Sequence, residues 1–286
     1  MILVRPFTGR IFFGNISLVL EPSIKEIIMN KYTFIASALL FMCIETSAQQ
    51  SDADRSKLTE VWTPVPKVVT PAKKPGAPPA DAIILFGGKD LNQWVSKRDT
   101  TKPAMWTVSG DVLTVKKGTG NIRTKQNFMD YQLHIEWLIP KNISGSGQSR
   151  GNSGVFLASW GTGEHGYEIQ ILDSYKSETY VNGQAGSIYK QHIPLANANL
   201  PPGEWNVYDI AWTAPRFNDD GSLKTPAMVT AFLNGILVQS NIAIKGETKW
   251  IGAPEYTKHG ALPIMLQDHG DPSPAISFRN IWIRPL

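Results

Sequence analysis

The chain has 286 residues, of which 42% are hydrophobic and 18% charged, enough apolar material for one large or two small cores. Its 28 basic and 24 acidic residues leave a net charge of +4, and no Lys or Arg run is long enough to follow a phosphate backbone, which makes nucleic-acid binding a poor reading. The single cysteine, Cys43, excludes an intramolecular disulfide and the Cys-based zinc sites.

Residues 29–50 read MNKYTFIASALLFMCIETSAQQ. Lys31 supplies a positive start, residues 34–44 a short apolar run, and residues 46–48 (TSA) a small-residue cleavage site. The expectation is a signal peptide over 29–48, with residues 1–28 an upstream extension. The apolar run is too short to span a bilayer comfortably. A lipid anchor on Cys43 is the less favoured alternative, because Met42 stands where a small residue is usual. The predicted destination is the periplasm or the extracellular medium. Residues 49–80 read as a linker or a strap over the domain: prolines crowd residues 61–80, where they forbid a helix and favour extended backbone.

From residue 81 onward the apolar pattern has period two. Residues 83–86 form a short strand stopped by Gly87 and Gly88, and residues 106–115 a hairpin turning at Gly110. Residues 131–137 alternate: Tyr131, Leu133, Ile135 and Trp137 face one side, Gln132, His134 and Glu136 the other. Further strands are expected at 154–159, 167–172, 205–212, 228–233, 236–239, 262–267 and 275–283, with Asn234-Gly235 among the turns. No long segment carries a 3.6-residue stripe. Short strands with turns roughly every 8–20 residues argue for an all-β chain folded as a β-sandwich.

Polar residues opposite the core-facing set are either solvated or part of a site. In residues 166–173 (GYEIQILD), Tyr167, Ile169 and Ile171 take the core face, Glu168 and Gln170 share the other, and Asp173 closes the strand. A carboxylate beside an amide suits a base next to a substrate-orienting group, with a plain solvated face as the competing reading. Gln267 and His269 share a face at the end of residues 266–270 (LQDHG), where the imidazole can be base, acid, metal ligand or turn cap. Residues 149–154 (SRGNSG) enter a strand as a glycine-rich loop, in which Arg150 and Asn152 can bind hydroxyl or keto oxygens; no helix follows, so it is not a phosphate loop. Residues 186–190 bring Tyr189 and Lys190. Among many aromatic residues, Trp160 is the preferred platform for a sugar ring.

Taken together, residues 85–94 (LFGGKDLNQW), 152–157 (NSGVFL), 166–173, 186–189 (GSIY), 202–206 (PGEWN), 233–235 (LNG), 266–270 and 278–281 (FRNI) resemble the 3-keto-disaccharide hydrolase family. The resemblance runs over residues 81–286. It implies a concanavalin-like jelly roll of two antiparallel sheets, from a secreted bacterial group. It also implies cleavage of a glycosidic bond in a sugar already oxidised at C3, with a separate 3-oxidising dehydrogenase acting upstream. The ketone acidifies the C2 hydrogen; a base removes it, an enolate forms, and the C1 substituent leaves by β-elimination, after which water can add back. Such a site needs a base near C2, donors at the C3 oxygen and an acid for the leaving oxygen, not the carboxylate pair of ordinary glycosidases. On this reading Glu168 or His269 is the base, while Lys190 and Arg150 stabilise the enolate. Asn152, Gln170, Gln267, Asp173 and Glu136 orient hydroxyls, and Trp160 supplies the stacking wall. A divalent metal held by Glu168, Gln170 or His269 stays open. So do two other readings: a non-catalytic carbohydrate-binding module, and a conventional glycoside hydrolase on unoxidised glucan.

Overall fold

The computed structural model describes residues 51–286; the expected upstream extension, the signal peptide and Cys43 lie outside the described residues. The chain divides into two units, one ending at Pro66 and the other comprising Lys67–Leu286. The described part of the first unit holds the short helix α1 (Asp52–Lys57), capped by Ser51, whose Oγ accepts from the Asp54 N–H at 3.1 Å. No helix among the described residues is long and apolar enough to cross a membrane.

The second unit is built from strands. In chain order these are β1 (Ile83–Phe86), β2 (Trp94–Ser96), β3 (Thr107–Ser109), β4 (Val112–Thr114), β5 (Ile122–Thr124), β6 (Tyr131–Leu138), β7 (Ser153–Trp160) and β8 (His165–Ile171). There follow β9 (Trp205–Thr213), β10 (Arg216–Phe217), β11 (Leu223–Thr225), β12 (Met228–Leu233), β13 (Ile236–Ala243), β14 (Met265–Leu266) and β15 (Ser277–Pro285). One antiparallel sheet runs β13-β12-β9-β6-β15-β4-β3, with β1 also pairing β15; the second runs β2-β5-β14-β7-β8. Strands β10 and β11 form a separate ribbon. The architecture is the all-β sandwich of two antiparallel sheets expected from the alternating pattern.

The core lies between the two sheets. Strand β6 sends Tyr131, Leu133, Ile135 and Trp137 inward, and β8 answers with Tyr167, Ile169 and Ile171, all buried. Aromatic rings bridge the layers: Tyr167 and Trp212 have centroids 5.4 Å apart, and Trp137 and Tyr208 5.6 Å apart. Two inward tyrosines also tie the sheets by hydrogen bonds. The Tyr131 hydroxyl donates to the Leu157 carbonyl at 2.5 Å, and the Tyr208 hydroxyl to the Gln170 carbonyl at 2.6 Å. Buried hydroxyls that find a partner avoid the desolvation penalty and fix how the layers register. The carbonyl that Tyr208 binds belongs to the same strand that carries Glu168, so the core clamps the backbone behind the polar face.

Part of the outer face of the larger sheet is covered by the proline-rich segment at Gly76. The Gly76 carbonyl accepts from Asn280 Nδ2 at 2.8 Å and from Trp282 Nε1 at 2.9 Å. Beneath it His134 is 2% exposed, stacked on Trp282 and joined through Nδ1 to Asp209 at 2.7 Å.

Candidate active site

Strand β7 pairs β8 so that Gly154 lies opposite Gln170 and Phe156 opposite Glu168. Directly paired residues point the same way, so the outer face of the smaller sheet presents Phe156, Glu168 and Gln170 side by side. These side chains floor a cavity of about 790 Å³. Asn152 enters it from the loop before β7, and Gln267 and His269 from the segment after β14. Tyr180, Tyr189 and the loop bearing Thr248, Lys249 and Trp250 wall it.

Glu168 dominates the electrostatics. It is 5% exposed and makes no ion pair among the described residues, and burial, helped by repulsion from Glu164, pushes its carboxyl up to about 8. It is therefore a neutral, proton-bearing acid at pH 7. Gly154 makes room for it: a methyl group there would collide with the Glu168 carboxyl. Glycine is needed at this point of β7 for close approach, not for a turn.

The amide of Gln170 lies against Glu168. With its nitrogen on that side it donates to Glu168 Oε1 and to the Ser153 carbonyl, both at 3.1 Å. Gln267 is 5% exposed and its Oε1 has no partner among the described residues, an unfilled acceptor in the cavity wall that a ligand hydroxyl would satisfy.

His269 forms the second half of the site. Its Nδ1 lies 2.8 Å from Asp271 Oδ2. Asp271 is desolvated, but its bonds with His269 and Ser273 and the nearby Lys117 outweigh burial and hold its carboxyl down to about 2. An ionised Asp271 accepts a hydrogen bond from Nδ1–H and leaves Nε2 as the ring nitrogen available to the cavity. Lys117 pins this corner, donating to the His269 carbonyl at 2.9 Å and the Asp271 carbonyl at 3.1 Å.

Six of the residues singled out from the sequence thus line one cavity: Glu168, Gln170, Asn152, Gln267, His269 and Tyr189. The others stand elsewhere. Arg150 is turned away, donating through Nε to Asp173 Oδ2 at 2.6 Å; Asp173 is fully buried, so the two form a structural ion pair in place of ligand contacts. Glu136 belongs to the larger sheet, where Arg279 and Asn280 bind it at 2.6 and 2.8 Å. Trp160 packs edge-on against Tyr167 and stacks on His259 at the rim of the core, because its position on β7 gives it the inner face. Lys190 lines an adjoining hollow and donates to the Trp250 carbonyl at 2.7 Å. The aromatic wall comes instead from Tyr180, Tyr189 and Trp250. Sequence reasoning also passed over Asp271, whose signal was a carboxylate two residues after the histidine.

For the expected metal, Glu168, Gln170 and His269 share the cavity with Glu164, His165 and Glu247, but among the described residues no group of three or more His, Cys, Asp or Glu is placed to hold an ion. As they stand, these side chains do not make a metal cage.

Residues 81–284 match the model of the 3-keto-alpha-glucoside-1,2-lyase-like domain. A crystallised candidate glycosyl hydrolase from Parabacteroides distasonis ATCC 8503 is 55% identical; the alignment covers 80% of this chain and 96% of that one, with a TM-score of 0.74. Two further candidate glycosyl hydrolases from the same organism share the fold. One is 25% identical, covering 72% of this chain and 99% of its own, with a TM-score of 0.51. The other is 22% identical, covering 72% and 94%, with a TM-score of 0.52. No protein with a curated function matches. With a family match over most of its length and a cavity built on the segments that carry the family's motifs, the chain belongs to the 3-keto-alpha-glucoside-1,2-lyase-like domain family.

Proposed function

We propose that the protein cleaves the glycosidic bond of 3-keto-glycosides by proton abstraction at C2 and β-elimination of the C1 substituent. The observation that carries this is a proton-bearing carboxyl and an oriented imidazole in one cavity. Glu168 is buried without a counter-charge among the described residues and holds its proton, while His269 is oriented by an ionised Asp271. A positioned acid and a positioned imidazole are the two groups that the elimination needs.

His269 Nε2 takes the C2 proton. The electron pair left on C2 is shared with the C3 ketone as an enolate; its collapse forms the C1–C2 double bond and breaks the C1–O bond. Glu168 gives its proton to the departing oxygen. Gln170, with its NH₂ against Glu168 Oε1, supports the carboxylate that the transfer leaves. Gln267 Oε1 accepts from a sugar hydroxyl. Water adding across the double bond with the same two groups gives net hydrolysis.

Because the substrate is a ketone, a separate dehydrogenase that oxidises C3 acts upstream. Export to the periplasm or beyond, directed by residues 29–48, would place the enzyme where glycosides arrive. The deciding experiment incubates the protein from residue 49 onward with 3-keto-trehalose and with methyl 3-keto-glucoside, with and without chelator, and identifies the sugar product. The reading expects an unsaturated keto sugar or its hydrate and no turnover of the unoxidised glycosides. Cleavage of plain disaccharide would replace it with ordinary glycoside hydrolysis. Loss of turnover on chelation would restore a metal to the mechanism.

A further inference from the structure

The main cavity does not end at Tyr180, Tyr189 and Trp250. The same three residues, with Lys249, also line a second hollow of about 430 Å³ that continues outward to Lys190. Its construction is deliberate in physical terms. The Tyr180 and Tyr189 rings lie 6.2 Å apart with hydroxyls bonded at 2.6 Å, and Lys190 Nζ stands 5.7 Å from both ring centres. Lys190 spends one proton on the Trp250 carbonyl at 2.7 Å, which leaves two donors for another partner. Trp250 is 74% exposed and Ile251 75%, an apolar ledge beside the hollow that none of the described residues covers. An exposed tryptophan and a pair of tyrosines around spare ammonium donors fit one kind of guest: a ring with an apolar face and oxygen acceptors on its edge.

We infer that this second hollow is the leaving-group subsite, taking the ring of the departing C1 substituent, with Trp250 and the tyrosines against its face and Lys190 on its edge oxygens. The assignment rests on the reading of the main cavity as the elimination site. A hexose and a phenolic aglycone share the required chemistry. Lys190 therefore acts on the leaving half of the substrate, not on the enolate.

The test uses the Glu168→Gln protein, which keeps the substrate intact, titrated calorimetrically with 3-keto-glucosides bearing methyl, glucosyl or phenyl substituents. The ring-bearing ligands should bind at least about tenfold tighter than the methyl one, a gap of the size stacked aromatic contacts produce. Adding Trp250→Ala, or separately Lys190→Met, should close that gap. A gap for phenyl alone identifies an aromatic aglycone, for glucosyl alone a sugar, and for both a shape-selective site. Equal affinity of all three ligands, absence of binding by the ring-bearing pair, or a gap that survives both substitutions overturns the inference. Turnover of methyl 3-keto-glucoside by the unmodified protein reports on the elimination reading separately, because that substrate leaves the second hollow empty.

Discussion

Two clusters of histidine and carboxylate sit on opposite outer faces of the sandwich, and their surroundings set them apart. On the larger sheet, burial pushes the Glu136 carboxyl up, but hydrogen bonds from Asn280 and Arg279 and the charge of Arg279 outweigh it and hold it below the ordinary range. Every polar group there is answered: Asn280 binds Glu136 and Gly76, His134 binds Asp209, and the strap closes the top. On the smaller sheet Glu168 is more deeply buried but meets no cation among the described residues; its neighbours are Phe156, Gln170 and open cavity. A satisfied buried network adds rigidity, whereas an unpaired carboxyl costs stability and persists where it serves chemistry. The same residue types, read by partner, thus separate scaffold from site.

Substitutions that swap these roles test the contrast. The largest effect is expected from Glu168→Gln, which should lower turnover of a 3-keto-glucoside by about 10²–10⁴, the usual worth of a general acid. The same change should stabilise the protein at alkaline pH. The folded state holds the Glu168 proton up to about 8 while the unfolded chain releases it near 4.5, so stability falls as pH rises across that window. Glutamine abolishes this slope, and thermal melts at pH 5 and pH 9 will show it. Activity that needs the proton should likewise be lost as pH rises through about 8. If Glu168→Gln destabilises the protein equally at both pH values, Glu168 belongs with the scaffold.

A smaller loss is expected from Gly154→Ala. The added methyl displaces the Glu168 carboxyl, so turnover should fall by roughly 10- to 100-fold, as a misplaced catalytic group produces. The smallest catalytic effect is expected from Glu136→Gln, which should leave turnover within about threefold. It leaves Arg279 unpaired and should cost about 1–3 kcal/mol of stability, read as a drop in Tm. Loss of turnover without loss of stability there would break the contrast.

The sandwich was legible because period two marks a half-buried strand, as in residues 131–137, and the Glu168–Gln170 and Gln267–His269 faces followed from the same rule. What alternation cannot say is what covers a polar face. His134 and Glu136 read like Glu168, and only the strap and β15 distinguish them. Arg150 and Asp173 are 23 residues apart, and nothing local announces that they neutralise each other. Tyr180 and Trp250 come from irregular segments without period, so alternation assigns them to no face. The short strands β2 and β5 escaped because three residues carry too little pattern.

The most direct measurement is the fate of the C2 hydrogen. A 3-keto-glucoside deuterated at C2 should be cleaved more slowly than the protiated one by the unmodified protein. The Glu168→Gln variant should wash C2 deuterium into solvent while releasing little leaving group, and His269→Asn should do neither. Cleavage with no isotope effect and no washout would mean that the C1–O bond breaks without a C2 carbanion, and the elimination account would be wrong.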